Sequence, residues 1–421
     1  MRDRFLTRQL VGLGLTANAT RPLPGGPAAV PAFFSGWLTS ELAPQLLTLT
    51  AADLTQRVAR KGVPTRSDKV ALAAGLGTMA GLGAIMAGGQ GARFEVEKAL
   101  LEGLGDDYLQ ALSRPHAAQD LATPWRQLVN PFRMRHEDVR IKRHVPYADG
   151  GRRFHADVYH HRDTPSGAPV LLQVHGGGWV IGNKEQQAIP LMQRMAARGW
   201  VSVAVNYPLS PKARWPEHLV ALKQAVAWIR SNIATYGGDP SFIAVTGGSA
   251  GGHLAAMLAL TADDISLQPG FEDVDTSVQA CIPHYGIYDF TAESGQRYAR
   301  DRLWSLIRPM VMPSGAHYPE DFRAASPISR LDGDIPPFFV LHGSNDTLVP
   351  VLEARLFVDK LRAASRNPVV YAEMRGAQHA FDLFPSIRSA HVVRGVERFL
   401  DWTYATRLSR AADPGSARQP A

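Results

Sequence analysis

The chain has 421 residues, 45% hydrophobic and 20% charged, with a formal net charge of +7 and one cysteine. That length suits one large α/β domain of roughly 250–300 residues plus an appendage, and the composition is ordinary for a globular protein. The lone Cys281 excludes an internal disulfide. No Cys/His cluster has metal-ligand spacing, so no metal or cofactor is implied. The positive excess is mostly scattered arginine with no nucleic-acid motif, which argues against nucleic acid and for a solvated surface, although a basic surface also favours anionic lipid.

In chain order, residues 1–20 hold arginines and a short apolar stretch from Leu10 to Leu15, too weak for a signal peptide. Residues 21–31 read as a Pro/Gly linker. Phe33, Phe34 and Trp37 are expected either in a core or in a flap over a site. Residues 70–92 carry no charge, have transmembrane length and hold Gly77 and Gly81 at the spacing that lets helices pack closely. Leu72, Leu76, Met79, Leu82 and Met86 fall near helical spacing and predict one docking face. A glycine-rich helix is poor in water, so this segment needs an apolar partner, either a bilayer or the rest of the protein. Residues 1–130 are therefore read as a helical, Gly/Ala-rich extension. It either associates with a membrane or the cell envelope, or docks on the rest of the same chain, which is then expected to be cytoplasmic.

Residues 131–410 read as a catalytic domain in which strands alternate with helices, the order that gives parallel βαβ units. Residues 168–174 form a buried strand, and His175-Gly176-Gly177-Gly178-Trp179 follows at once. A glycine run there lets backbone approach a ligand and aim N–H groups at a developing oxyanion. Helices are predicted over 183–198 and 216–236. Residues 241–246 form a second apolar, β-branched strand, and residues 250–260 an Ala/Leu-rich buried helix. Between them, Gly247-Gly248-Ser249-Ala250-Gly251-Gly252 fits G-x-S-x-G, a sharp turn that lifts a serine Oγ above a sheet. Cys281 falls in a core strand and reads as packing. Residues 290–327 are expected to form a helical cap, with Tyr298, Arg302, Leu303, Trp304, Ile307 and Met310 shaping an acyl pocket or a core. Residues 336–343 and 369–374 are further strands, and 411–421 a disordered tail.

HGGGW followed by GGSAGG resembles the bacterial hormone-sensitive-lipase family of α/β-hydrolase carboxylesterases. Asn206-Tyr207-Pro208-Leu209-Ser210-Pro211 with Trp215-Pro216 is similar to the family's Y-R-L-A-P segment, and Gly237-Gly238-Asp239-Pro240 to its G-G-D-P. The likeness covers about residues 135–405. The segment from Phe33 to Pro44 looks like the N-terminus of actinobacterial Lip-type esterases. Two positions depart from the pattern: Gly248 stands where the family has an acid, and Pro208 where it has arginine. The resemblance implies an α/β-hydrolase fold, a mostly parallel sheet flanked by helices, with an N-terminal extension and a cap insertion. It also implies that the N–H groups of Gly177, Gly178 and Ala250 form the oxyanion hole.

In this fold the acid and the histidine follow the serine in chain order. Asp346 lies just past the strand over 336–343, at the edge where sites of open α/β sheets gather. Its rival Asp334 precedes that strand and reads as a turn residue. His379, in the loop after the strand over 369–374, has the right order and edge. His342 and His284 read as packed at strand ends, His253 as bonded to backbone, and His175 as a support for the glycine loop. Ser249, Asp346 and His379 thus predict a serine esterase or lipase acting on short- to medium-chain, small-molecule or lipid esters. An amidase or formamidase of the same fold, and a non-catalytic hydrolase-fold binding protein, are the alternatives.

Overall fold

A computed structural model describes residues 4–23, 28–113, 122–163, 166–293 and 295–412. Eight strands, β1 (Val139–Pro146), β2 (His155–His161), β3 (Ala168–Val174), β4 (Val201–Val205), β5 (Gly238–Gly248), β6 (Ala280–His284), β7 (Phe338–Gly343) and β8 (Val369–Met374), form one sheet in the order β1-β2-β4-β3-β5-β6-β7-β8. The pairs β1/β2 and β2/β4 are antiparallel, and the pairs from β4 through β8 are parallel. The chain moves outward one way from β3 to β4, then crosses β3 to begin β5. β3 and β5 therefore flank the point where strand order reverses, and the crevice beyond their carboxyl ends is where such sheets bind ligands.

The helices are α1 (Arg4–Thr20), α2 (Ala29–Glu41), α3 (Ala43–Lys61), α4 (Arg66–Leu104), α5 (Trp125–Leu128), α6 (Ile189–Ala197), α7 (Glu217–Asn232), α8 (Ala250–Leu260), α9 (Arg297–Arg302), α10 (Glu320–Ala324), α11 (Val351–Ala364) and α12 (Ile387–Ala412). The central strands are apolar on both faces because helices cover both. On β3, Val170, Leu172 and Val174 face a core with α7, α8 and α11, whereas Leu171 faces a second core with α4, α6 and α12. Phe338 and Val340 of β7 face the first core and Phe339 and Leu341 the second, the period-two alternation of a strand.

Three expectations need correction. The helix expected from residue 183 starts at Ile189. The preceding residues are drawn into other contacts: the Lys184 N–H donates to Asn206 Oδ1, and Gln187 Oε1 accepts from the Gly176 N–H. The docking face of α4 is only partly the leucine stripe: Leu82 is buried and Leu72 and Met79 pack against Phe5, Leu54 and Ala71, but Leu76 is exposed, and Ala71, Ala74, Gly75 and Thr78 are the other buried positions there. Small residues lie inward because α1 and α3 press against them. A Cβ on Gly81 would lie 2.4 Å from Thr16 Cγ2, and Gly75 already meets Leu54 and Gln9. Finally, α12 continues through residue 412, so the first two residues of the expected tail are helical. The rest of that tail, residues 413–421, and residues 24–27 of the expected linker lie outside the described residues.

The expected cap is α9, a π-helical segment Leu303–Val311 and α10. Leu303, Ile307 and Val311 are buried, while Trp304 is exposed. Trp215 N–H donates to Val311 O at 2.8 Å, tying the segment to the loop after β4.

Candidate active site

Ser249 sits between the last residue of β5 and the first of α8, with φ 59° and ψ −121°. A non-glycine residue there is strained by about 1–3 kcal/mol, so neighbours must hold it. Its N–H donates to His284 O at 3.0 Å, and its carbonyl accepts from His253 N–H at 3.0 Å. The turn is tight enough that a Cβ on Gly251 would lie 2.2 Å from Val174 O, so only glycine fits.

The glycine loop after β3 is pressed onto this turn. A Cβ on Gly176 would lie 3.1 Å from Ser249 Cβ. Gly177 has φ 115°, and a Cβ there would lie 2.2 Å from Ile181 O. The N–H groups of Gly177 and Gly178 make no hydrogen bond with any described residue, nor does that of Ala250, the first residue of α8. Helix N-termini leave such donors unpaired and carry a partial positive charge. Three free donors thus flank the serine. His175 supports the loop from behind: its Nδ1 donates to Gly176 O at 2.8 Å, its ring stacks on Tyr207, and burial pushes its pKa down to about 4, so it is neutral.

Asp346 and His379 meet. Asp346 Oδ2 lies 2.6 Å from His379 Nδ1, and Asp346 Oδ1 accepts from the N–H groups of Leu348 at 2.9 Å and Val349 at 2.8 Å. Burial would raise this carboxyl, but the charge of His379 and hydrogen bonds from His342 and His379 outweigh it, and Asp346 is held well below the ordinary carboxylate range. With Nδ1 turned to Asp346, the other ring nitrogen of His379 is left for chemistry. The two halves of the site join through Tyr285: its ring centroid is 4.6 Å from that of His379, and a Cβ on Gly248 would lie 2.8 Å from its ring edge.

The other polar residues fall as expected. His253 Nε2 donates to Ala325 O at 2.8 Å and His342 Nε2 to Val349 O at 2.7 Å. Asp334 is exposed just before β7, beside Pro336 and Pro337, at the opposite edge of the sheet from Ser249. Cys281 is buried in β6, and burial pushes its thiol up. His144, Asp157 and Glu185 converge as metal ligands might, but the ammonium of Lys184, 2.7 Å from Asp157 Oδ1, already supplies the cation.

Sequence reasoning missed a buried network beside this site. Tyr285 donates to Asp382 Oδ1, and Asp382 Oδ2 lies 2.7 Å from His284 Nδ1. Gly248, where the resemblance led one to expect an acid, is the available signal: the Tyr285 ring fills that space and carries its hydroxyl to an acid three residues beyond His379. The N-terminal helices also reach the site. Phe33 of α2 sets its ring edge-on to His379 at 5.8 Å, and Asn345, next to Asp346, donates to Ala19 O and Thr20 O of α1. On the opposite side, Leu306 of the π-helical segment lies 3.6 Å from where a Cβ on Gly178 would be.

The family model described as BD-FAE matches residues 156–361. The chain is 42% identical to a protein of Mycobacterium tuberculosis named "Probable carboxylic ester hydrolase LipM", over 96% of this chain and 93% of that one. It is 44% identical to the esterase LipQ of the same organism, with 74% of each chain covered. Among solved structures, esterase B from Lactobacillus rhamnosis aligns over 71% of this chain and 95% of its own, with a TM-score of 0.57 and 16% identity. A truncated carbohydrate esterase from gut microbiota aligns over 63% and 98%, with a TM-score of 0.52 and 21% identity. These last two likenesses are likenesses of fold.

Proposed function

From a chain that belongs to the α/β-hydrolase carboxylesterases of the hormone-sensitive-lipase type, in the Lip group, and is a carboxylic ester hydrolase, we infer that catalysis runs through Ser249, His379 and Asp346 on short- to medium-chain esters. The observation that carries this reading is the 2.6 Å hydrogen bond from His379 Nδ1 to a carboxylate kept ionised. It fixes the imidazole as the tautomer whose free Nε2 is a base.

Neutral His379 takes the proton of Ser249 Oγ as that oxygen attacks the ester carbonyl. The carbonyl oxygen becomes an oxyanion, received by the N–H groups of Gly177, Gly178 and Ala250. One such donor is worth about 2.7–4 kcal/mol in the transition state. The imidazolium, stabilised by Asp346, gives its proton to the departing alkoxide and leaves an acyl-enzyme. Water, deprotonated by His379, then attacks the acyl carbon, and collapse of the second tetrahedral species returns the proton to Ser249 and releases the acid. Phe33 on one side and Leu306 on the other supply apolar walls suited to an acyl chain of limited length.

The test is a series of p-nitrophenyl esters of rising acyl length, with matched anilides, on the wild type and on Ser249→Ala. The expected result is a kcat/KM maximum at short to medium chains, far slower anilide cleavage, and loss of both activities in the variant. Near-wild-type ester turnover by folded Ser249→Ala overturns the assignment.

A further inference from the structure

The helices over the site leave a large apolar surface uncovered, and its charge is unusual. Residues 1–94 contain ten Lys/Arg and four Asp/Glu, a net +6, and Glu95, Glu97, Lys98 and Glu102 at the end of α4 bring residues 1–104 to +4 of the chain's +7. The positive excess is thus concentrated in the part of this layer before residue 95. Between Arg8 and Arg57 the only charged residues are Arg21, Glu41 and Asp53. Glu41 is buried against Arg388, and Asp53 is paired with Arg8 at 2.8 Å. The intervening surface is apolar: Leu10 and Val11 of α1, Val30 and Phe34 of α2, and Val70 and Leu76 of α4 are all exposed, Val11 and Leu76 by 54% and 55%.

These residues form one surface because the helices are tied together. Leu13 packs on Gly77, Leu10 stands one turn earlier on that side of α1, and Leu76 is the residue before Gly77 on α4. Asn18 Nδ2 donates to Ala32 O and Ser35 Oγ, locking α1 to α2. The surface runs on to the mouth of the site: Phe34 touches Phe33 at 4.8 Å between ring centroids, and Phe33 touches His379. Exposed Arg4, Arg66 and Lys69 stand at one end and Arg21 and Arg93 at the other. The helix α4 cannot leave this position to cross a bilayer without emptying a core, since Ala92, Val96, Ala99 and Leu100 pack with β8 and α12.

We propose that the solvent face of α1, α2 and α4 is a docking surface for an anionic lipid bilayer, on which the protein lies with the mouth of its site turned to the lipid. An apolar face rimmed by basic residues is the pattern that binds in the interface plane, apolar side chains entering the acyl boundary and cations meeting the headgroups. An ester dissolved in that bilayer would then reach Ser249 past Phe34 and Phe33 without entering water. That last step rests on the reading of Ser249 given above; the docking does not.

Ser249→Ala protein, which separates binding from turnover, is floated with vesicles of phosphatidylcholine alone and with about 30% phosphatidylglycerol. Binding is expected to the anionic vesicles only. It should weaken at 1 M salt without vanishing, since the Debye length there is about 3 Å and charge attraction is screened. Leu10→Glu/Leu76→Glu should lower the partition coefficient at least about tenfold. In otherwise wild-type protein that pair should keep its kcat/KM on soluble p-nitrophenyl acetate and lose turnover of a vesicle-borne ester. As a second variant, Arg66→Gln/Lys69→Gln should weaken binding at low salt while leaving the apolar face intact. No binding to anionic vesicles overturns the proposal. So do complete release by salt, which would mean adsorption by charge alone, and unchanged binding by both variants.

Discussion

The carboxyl edge of the sheet and the N-terminal helical layer both rely on glycine, for different neighbours. Around Ser249 the absent side chains let backbone approach backbone: Gly251 faces Val174 O, and Gly177 faces Ile181 O. In α4 they let side chains approach a helix, Thr16 at Gly81 and Leu54 at Gly75. On the mechanism proposed above, the first use holds donors and a nucleophile in a strained geometry, where a shift of a few tenths of an ångström matters to chemistry. The second fills a groove, where the same shift costs only packing energy. Glycine at the sheet edge therefore serves rate, and glycine in the helical layer serves stability.

The largest expected effect comes from the serine. Ser249→Ala should lower kcat about 10⁶-fold, with its melting temperature little changed, because alanine keeps the Cβ that is strained at φ 59°. Steady-state kinetics and thermal unfolding check this. Asp346→Asn should cost about 10⁴-fold in kcat through loss of the correct His379 tautomer. Added to Ser249→Ala it should cost little more, because the members act as a unit, while Asp334→Asn, at the opposite edge, should leave kcat within about twofold of the wild type.

Acid should unfold the sheet half first. Burial lowers His175, His218 and His391 to about 4 and His253 to about 3. Each stays neutral in the fold while its unfolded counterpart, near 6.5, takes up a proton. The stabilisation is therefore complete above about pH 6.5 and lost as pH falls toward the folded values, by up to about 1.4 kcal/mol per pH unit for each histidine. The four helices α1 to α4 contain no histidine. Hydrogen exchange between pH 7 and 4.5 should show protection falling in β5, β6 and α8 before α1. Loss in the reverse order would place the acid-sensitive groups elsewhere.

The smaller effects sharpen the contrast directly. Gly177→Ala should cost about 10²–10³-fold in kcat, because its Cβ, 2.2 Å from Ile181 O, forces the loop and its N–H donors out of place, and the clash should lower the melting temperature as well. Gly81→Val should affect stability alone. It overpacks α1 against α4 and should destabilise by about 1–3 kcal/mol while kcat stays within about twofold. A tenfold loss of kcat in Gly81→Val would show that the helical layer is mechanically part of the site, through Asn345 on α1 or Phe33 on α2.

The two regions also differed in how legible they were. The strands β3 and β8, the helix α8, and the meeting of Asp346 with His379 could be read from the residues because each role is local to a strand end and the fold sets the chain order. What covers α4 could not. Its partner α1 lies some sixty residues earlier, and an uncharged helix looks the same facing a bilayer or a neighbouring helix. The leucine stripe was incomplete for the same reason: Leu72, Met79 and Leu82 do dock, but small residues join the inner face only when a neighbour comes close. The pairing of Tyr285 with Asp382 was hidden because it joins the end of β6 to the loop after β8. Only the missing acid at Gly248 hinted that the polar partner had moved.

Whether Ser249 is the nucleophile activated by His379 and Asp346 is decided by titrating the protein with a p-nitrophenyl alkylphosphonate and mapping the adduct by mass spectrometry. One phosphonyl group per chain is expected, on the peptide containing Ser249. Activity should fall in proportion to the adduct, and labelling should slow by orders of magnitude in Asp346→Asn. Full labelling of Ser249 with activity retained, or inactivation with the adduct on another residue, would contradict that assignment.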